Sequence, residues 1–168
     1  MSNPLIPREQ VHALSEECGN NPDDFQVIAA RISKEQRRLF RHIEGEFSEK
    51  DPISGQIALY MMSVCVRVFE QSGGRLTKVN QNSIVEATKK VRSILPSVLP
   101  VDDGFSDRAK SADRTQNHLL DEVLWALYER SEEEQLPEEA QIDPKKSAMI
   151  YIMLWISVEA LNSHWRGN

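Results

Sequence analysis

Glutamate and histidine residues near the two ends of the chain are the closest approach to a metal-binding pattern in this sequence. Glu9 and His12 have the Glu-x-x-His spacing that puts two ligands on one helix face, as in carboxylate-bridged di-iron bundles. Such bundles carry the motif on two helices, whereas this sequence contains it once. We therefore predict no metal and no cofactor. A helical-bundle metal protein or enzyme using Glu9, His12, Glu159 and His164 is kept as an alternative, and it requires the first and last helices to meet.

Motifs for nucleophilic catalysis or phosphate binding are absent from the sequence, which has no Gly-x-Ser-x-Gly and no glycine-rich phosphate loop. Asp102, Asp103 and Asp107 surround Gly104 and give one loop the composition of a calcium site. The loop lacks the alternating acids and the closing glutamate of an EF-hand, so we interpret it as a solvated turn. The sequence predicts no catalytic residues and favours a non-enzymatic protein over an enzyme.

A basic stripe is predicted on one helix face by the spacing of Arg31, Lys34, Arg38 and Arg41, which are three, four and three residues apart. Such a face could follow nucleic-acid phosphates, receive an acidic protein segment, or simply be solvated. The net charge of −6 and the lack of a helix-turn-helix pattern make nucleic acid the weakest of the three. We interpret these four residues as a candidate face for an anionic partner.

Two long apolar segments begin with Asp-Pro and carry one charged residue at the same place. Arg67 lies in the segment that follows Asp51, and Glu159 lies in the segment that follows Asp143. Helical spacing puts the few polar and aromatic residues of each segment on one narrow seam. The first seam comprises Gln56, Tyr60, Ser63, Arg67 and Glu70, and the second comprises Tyr151, Trp155, Glu159, Asn162 and Arg166.

Three interpretations of these seams stay open. Each seam could face solvent, or Arg67 could pair with Glu159 inside the bundle, because a buried charge requires a partner. Alternatively, Tyr60, Arg67, Tyr151, Trp155 and Glu159 could form a subunit interface, where Tyr, Trp and Arg are favoured. The similarity of the two segments indicates either an internal duplication or a coincidence between two core helices.

The negative charge is concentrated in one connecting segment. Residues 129–143 hold seven acidic residues and one arginine, a net charge of −6, so the rest of the chain sums to zero. We predict that 131–143 is an acidic connecting loop within a single domain, 1–168. The two cysteines, Cys18 and Cys65, make no disulfide framework. The apolar run 148–161 is shorter than a membrane span and contains Glu159, so a buried core helix is expected.

Periodicity predicts six helices, and no continuous alternating pattern indicates a sheet. Residues 75–82 are expected to form either a short helical turn or an extended strand. The helices are predicted at 7–18, 22–46, 52–71, 83–95, 106–130 and 144–165.

Together these patterns predict an all-α, single-domain bundle of about six helices. Two mostly apolar helices, at about 52–71 and 144–165, lie at its centre. We expect a homodimeric, non-enzymatic cytoplasmic interaction or regulatory protein that binds itself or another protein. No signal peptide is predicted, and neither a membrane nor a nucleic acid is an expected partner.

Overall fold

The computed structural model describes residues 2–47, 51–130 and 142–168, and it confirms an all-α fold. Eight α-helices lie in these ranges, together with a short 3₁₀ turn at Leu95–Ser97 and a π-helical turn at Trp125–Glu129. The helices are α1 (Arg8–Asn20), α2 (Pro22–Glu35), α3 (Arg37–Glu46), α4 (Pro52–Gln71), α5 (Gln81–Ile94), α6 (Phe105–Ser111), α7 (Asn117–Leu124) and α8 (Pro144–Ser163).

The structure has more helices than predicted because buried polar groups interrupt two of the predicted ones. The predicted helix 22–46 breaks at Gln36, which is 5% exposed. Its side-chain amide donates to Thr77 O at 3.2 Å and accepts from Val79 N at 3.0 Å. The predicted helix 106–130 breaks between α6 and α7, where Thr115 turns its backbone N–H toward another helix. Hydrophobic periodicity does not report such tertiary hydrogen bonds, so the prediction ran through both breaks.

α4 and α8 start in the same way, as their sequences predict. The Asp51 carboxylate accepts from Ser54 N at 3.2 Å, and the Asp143 carboxylate accepts from Lys145 N at 2.8 Å. Both aspartates satisfy a free helical N–H, and the proline that follows each one suits the first helical position. Lys146 Nζ lies 3.8 Å from Asp51 Oδ2, so the two helices begin side by side.

A two-residue ladder joins the carboxyl ends of α4 and α8, so these helices run parallel. β1 (Arg75–Leu76) pairs antiparallel with β2 (Trp165–Arg166). No sheet was predicted, because a pair this short shows no alternating pattern. Gly74 has a φ of +71°, and a Cβ there would lie 1.9 Å from Arg166 O. Only glycine allows this close approach of the two backbones.

The core surrounds α4 and α8. α1, α2 and α3 pack on α4, whereas α5 and α7 pack on α8, and α1 also contacts α7. The packing of α5 against α8 was not predicted from the sequence. The largest fully buried side chains are Trp155, Tyr151, Phe69 and Phe105. Burial of each such side chain stabilises the fold by roughly 1.5–3 kcal/mol.

By length and composition, α4 is the one helix in the described ranges that could cross a membrane. Of its most apolar 18-residue stretch, 56% is buried within the protein. A core helix meets the same criterion, so this is weak support for a membrane span. The run 148–161, for which a core helix was predicted, lies within α8.

Candidate functional site

The first three residues of the α8 seam lie inside the protein. Tyr151 and Trp155 are 0% exposed, and Glu159 is 6% exposed. The Tyr151 ring lies between Phe105 and Trp155, with ring centroids 6.2 and 6.0 Å away. Burial raises the pKa of Tyr151 to about 12. Three residues that were candidates for a subunit interface therefore belong to the core of one chain.

Glu159 is the buried charge at the end of this seam, and two other parts of the fold supply its partners. Thr115 N donates to Glu159 Oε2 at 3.0 Å, and the Thr115 hydroxyl donates to the same oxygen. Lys90, on α5, forms an ion pair with Glu159 Oε1. The carboxylate thus joins α8 to α5 and to the connection between α6 and α7. Sequence reasoning missed Lys90 and Thr115, because no local spacing links residues so distant in the chain.

Most of the α4 seam reaches the surface, although Ser63 is buried. The Arg67 side chain is 26% exposed, and its Nη1 lies 3.6 Å from Glu70 Oε1. Arg31 reaches over from α2 and donates two 2.9 Å hydrogen bonds to the Glu70 carboxylate, which raise the pKa of Arg31. Arg67 and Glu159 therefore have separate partners, and the structure does not pair them.

A cleft of about 580 Å³, lined mainly by residues of polar type, opens beside Glu159. Ser83 Oγ lies on its wall, 2.6 Å from His164 Nε2, and His164 Nδ1 lies 3.1 Å from Thr77 Oγ1. Burial lowers the pKa of His164, which favours its neutral form. The Ser83–His164 contact ties α5 to the end of α8, and the Ser83 hydroxyl also bonds to Asn80 Oδ1, the cap of α5, at 3.0 Å. The cleft is lined by Asn80, Asn82, Ser83, Glu86, Ala87, Lys90, Thr115, Glu159, Asn162 and Ser163.

The residues of the metal alternative do not converge. His12 Nδ1 lies 2.7 Å from Glu122 Oε1 on α7, and Arg8 pairs with the same carboxylate. His164 and Glu159 have the partners given above, and Glu9 is exposed, so the four predicted residues do not form one site. Within the described ranges, no group of three or more His, Cys, Asp or Glu side chains could hold a metal ion.

The loop 102–107, which has the composition of a calcium site, is held closed by Arg108. Arg108 Nη2 lies 2.6 Å from Asp102 Oδ1 and from Pro100 O, and Gly104 N donates to Asp102 Oδ1 at 2.9 Å. These bonds, above all that from Arg108, lower the pKa of Asp102. The Asp102 carboxylate is thus occupied by donors of its own loop, as a turn requires.

Another buried charge, Arg114, lies next to the α8 seam. Its guanidinium donates to Asp121 Oδ1 at 2.7 Å and to the Tyr151 hydroxyl at 3.3 Å. Burial acts to lower the pKa of Arg114, but Tyr151 and Asp121 raise it above its ordinary value. Like Glu159, Arg114 is bonded to side chains of its own chain, and sequence reasoning did not single it out.

The predicted basic stripe is divided between two helices. Arg31 and Lys34 lie on α2, whereas Arg38 and Arg41 lie on α3, beyond the break at Gln36. Arg31 is bound to Glu70 and Glu35, while the other three side chains are exposed. The predicted acidic connecting loop, 131–143, lies mostly outside the described residues.

An apolar surface is exposed on the first half of α4. Ile53 is 70% exposed and Tyr60 is 48% exposed, and their spacing of seven puts them on one helix face with the half-buried Ile57. The Tyr60 ring packs edge-on against Phe25 of α2 at 5.6 Å, and burial raises the pKa of Tyr60. We call Ile53, Ile57 and Tyr60 the α4 face.

The sequence matches no known protein-family model, and no curated protein or solved structure is significantly similar to it. The site therefore has to be interpreted from its own geometry.

Proposed function

We propose that this protein is a non-enzymatic interaction protein that forms a homodimer through the α4 face. The observation that supports the proposal is the exposure of Ile53 and Tyr60 on one side of a helix whose other sides form the core. Large apolar side chains that line one exposed helix face are typical of partner-binding surfaces. Tyrosine is also enriched in the buried centres of interfaces.

The buried charges support a non-enzymatic function. Glu159 bonds to Lys90 and Thr115, and Glu122 bonds to Arg8 and His12. Each of these carboxylates joins helices that are distant in the sequence. Such contacts hold the helices in place, which is an architectural role, whereas the α4 face has large apolar groups available to a partner.

A second copy of the chain is the partner that we propose first, because one helix face can pack against itself across a two-fold axis. In such a pair Ile53 of one subunit would approach the first half of α4 in the other subunit. The same face is suited to a different helical protein, and the regulatory function would then belong to that complex.

We further propose that the protein works in the cytoplasm. Cys18 and Cys65 are both buried, unpaired thiols. Burial raises the pKa of Cys18 to about 11 and that of Cys65 to about 12, so both remain protonated and unreactive. Unpaired cysteines of this kind are typical of proteins from reducing compartments.

Light scattering after size-exclusion chromatography tests the homodimer. At protein concentrations from about 1 to 100 µM, the wild-type mass should approach twice the 19.2 kDa of one chain. Ile53→Glu should reduce the mass to that of one chain, because an isolated charge in an apolar interface is not compensated. Tyr60→Glu should have the same effect.

Val85→Glu provides the matched control, since Val85 is a 39% exposed apolar residue on α5, which packs on α8 and not on the α4 face. This variant should keep the wild-type mass. If wild-type protein has the mass of one chain throughout the concentration range, the homodimer is wrong. If Val85→Glu dissociates the dimer as effectively as Ile53→Glu, the interface lies elsewhere.

A further inference from the structure

Two arginine side chains lie opposite each other in the ladder that joins α4 and α8. Arg75 and Arg166 are direct partners in the β1–β2 register, and both are exposed. The Cβ atoms of such partners lie roughly 4.5–5.5 Å apart, and like charges placed there destabilise the pair. No acidic side chain in the described ranges forms an ion pair with either arginine.

The backbone holds this pair together despite the repulsion. On the opposite face of the ladder, Trp165 is 2% exposed, and its Nε1 donates to Gly73 O at 3.0 Å. Thr77 N donates to His164 O at 3.0 Å and extends the ladder by one bond. Since the strands are attached to the core, the two arginines cannot separate by moving their backbones.

Further cations lie at the same corner of the protein. The Gln36 side chain holds the segment that follows β1, through its bonds to Thr77 O and Val79 N. Lys78 lies between these two contact points and is exposed, and Arg37 follows Gln36 and is exposed as well. Neither side chain has an ion-pair partner among the described residues. The segment after β1 and the start of α3 thus add two exposed cations, and none of the four side chains forms an ion pair with a carboxylate of the described residues.

We propose that this corner binds a phosphate-type oxyanion between Arg75 and Arg166, with Lys78 and Arg37 adding attraction at its edge. The guanidinium group is planar and presents parallel N–H donors that match two oxygens of a phosphate. A bound dianion would turn the repulsion between the two arginines into attraction by a shared partner. The phosphate can belong to a small phosphorylated molecule or to a nucleic-acid backbone, since both offer the same oxygens.

Thermal unfolding at low ionic strength, with and without inorganic phosphate or pyrophosphate, tests the site. Without anions, Arg75→Gln and Arg166→Gln should each raise the Tm by about 1–3 °C, because each substitution removes the like-charge contact. With phosphate, the wild-type Tm should rise, and the rise should be mostly lost in both variants. A rise in Tm is opposite in sign to the usual destabilising effect of a substitution, so a misfolded variant would not show it.

Lys145→Gln is the matched control, since Lys145 is an exposed cation at the opposite end of α8. It should keep the full response to phosphate and show no rise in Tm without anions. The site is refuted if the phosphate response of Arg75→Gln and Arg166→Gln equals that of Lys145→Gln. An unchanged or lower Tm of both arginine variants without anions would also refute the repulsive pair.

Fluorescence anisotropy with a labelled single-stranded oligonucleotide distinguishes the two sources of phosphate. If nucleic acid is the ligand, wild-type protein binds the oligonucleotide, added salt weakens the binding, and Arg166→Gln reduces the affinity several-fold. If only phosphate and pyrophosphate bind, a small phosphorylated molecule is the ligand. Tighter binding of a labelled poly-glutamate peptide than of either phosphate probe would contradict the proposal and assign the corner to an acidic protein.

Discussion

α4 and α8 have nearly the same design and different surroundings. Each has 20 residues, an aspartate cap that bonds to a backbone N–H, and a proline at its start. Arg67 and Glu159 occupy equivalent positions, 16 residues after those aspartates. Yet Arg67 lies at the surface beside Glu70, whereas Glu159 is buried against Lys90. Polar residues with the same spacing can therefore lie at the surface on one helix and in the core on another.

The neighbours of the two helices explain this difference. α5, α7 and the connection before α7 pack around the seam of α8. The second half of the α4 seam is bordered by α1 and α2, while Tyr60 in its first half and Ile53, one turn before the seam, stay exposed. The equal lengths and starts of α4 and α8 are what an internal duplication would produce, and this interpretation stays a prediction.

Replacing the aromatic residue of each seam should reveal the largest difference between the helices. Trp155→Ala should lower the free energy of unfolding by about 3–5 kcal/mol, because a fully buried indole leaves a cavity. Tyr60→Ala should cost only about 1 kcal/mol, from its lost edge contact with Phe25. Urea unfolding of both variants at low protein concentration measures the two values. Equal costs would mean that the two seams are equally buried.

Replacing the charged residue of each seam should reveal a smaller difference in the free energy of unfolding. Lys90→Met should cost about 2–4 kcal/mol, because the buried Glu159 carboxylate loses its cation and keeps only the Thr115 donors. Arg67→Met should cost less than about 1 kcal/mol, since its half-buried guanidinium makes only a weak 3.6 Å contact with Glu70. Both values come from urea unfolding, and a Lys90→Met cost as small as that of Arg67→Met would show that Glu159 is solvated.

The smallest expected difference between α4 and α8 concerns the residues that follow their carboxyl ends. It should appear in how the stability of the protein depends on pH. Residue 72 after α4 is serine and residue 164 after α8 is histidine. Burial lowers the pKa of His164 below its usual 6.5, so folding favours the neutral ring. This stabilisation is complete above pH about 6.5 and is lost as the pH falls through the lower pKa of the folded state.

His164→Asn should therefore lose less stability than wild-type protein when the pH falls from about 7.5 to 5. Ser72→Ala, at the matching end of α4, should keep the wild-type pH dependence. His42, whose pKa is also lowered by burial, contributes in the same direction in every variant. Thermal unfolding across this pH range measures the difference, and identical pH profiles for wild type and His164→Asn would contradict it.

Local patterns predicted much of the fold. The starts and lengths of α4 and α8 follow from Asp-Pro and from long apolar runs, and the α8 run was expected to be a core helix. The break at Gln36 could not be predicted, because an amide in a helical pattern gives no sign that it will bond to Thr77 and Val79. The β1–β2 pair was missed for a similar reason, since two residues are too few to show alternation.

The candidate site was predicted only in part. Tyr60 was singled out as an interface residue and is exposed, whereas Tyr151 and Trp155 were grouped with it and are fully buried. Helical periodicity shows which residues share a face, but it does not show whether another helix covers that face. The sequence drew attention to Arg31 in the basic stripe, but the partner of Arg31 on α4 became visible only in the structure.

From its residues alone, this chain sets an all-α fold, two apolar central helices, their caps and the positions of Arg67 and Glu159 along them. These properties depend on neighbours within one or two helical turns, so they can be read from local spacing. Tertiary packing decides that Glu159 is buried with Lys90, that the α4 face stays open, and that Arg75 faces Arg166. Those outcomes depend on contacts between residues up to 91 positions apart, which no local pattern records.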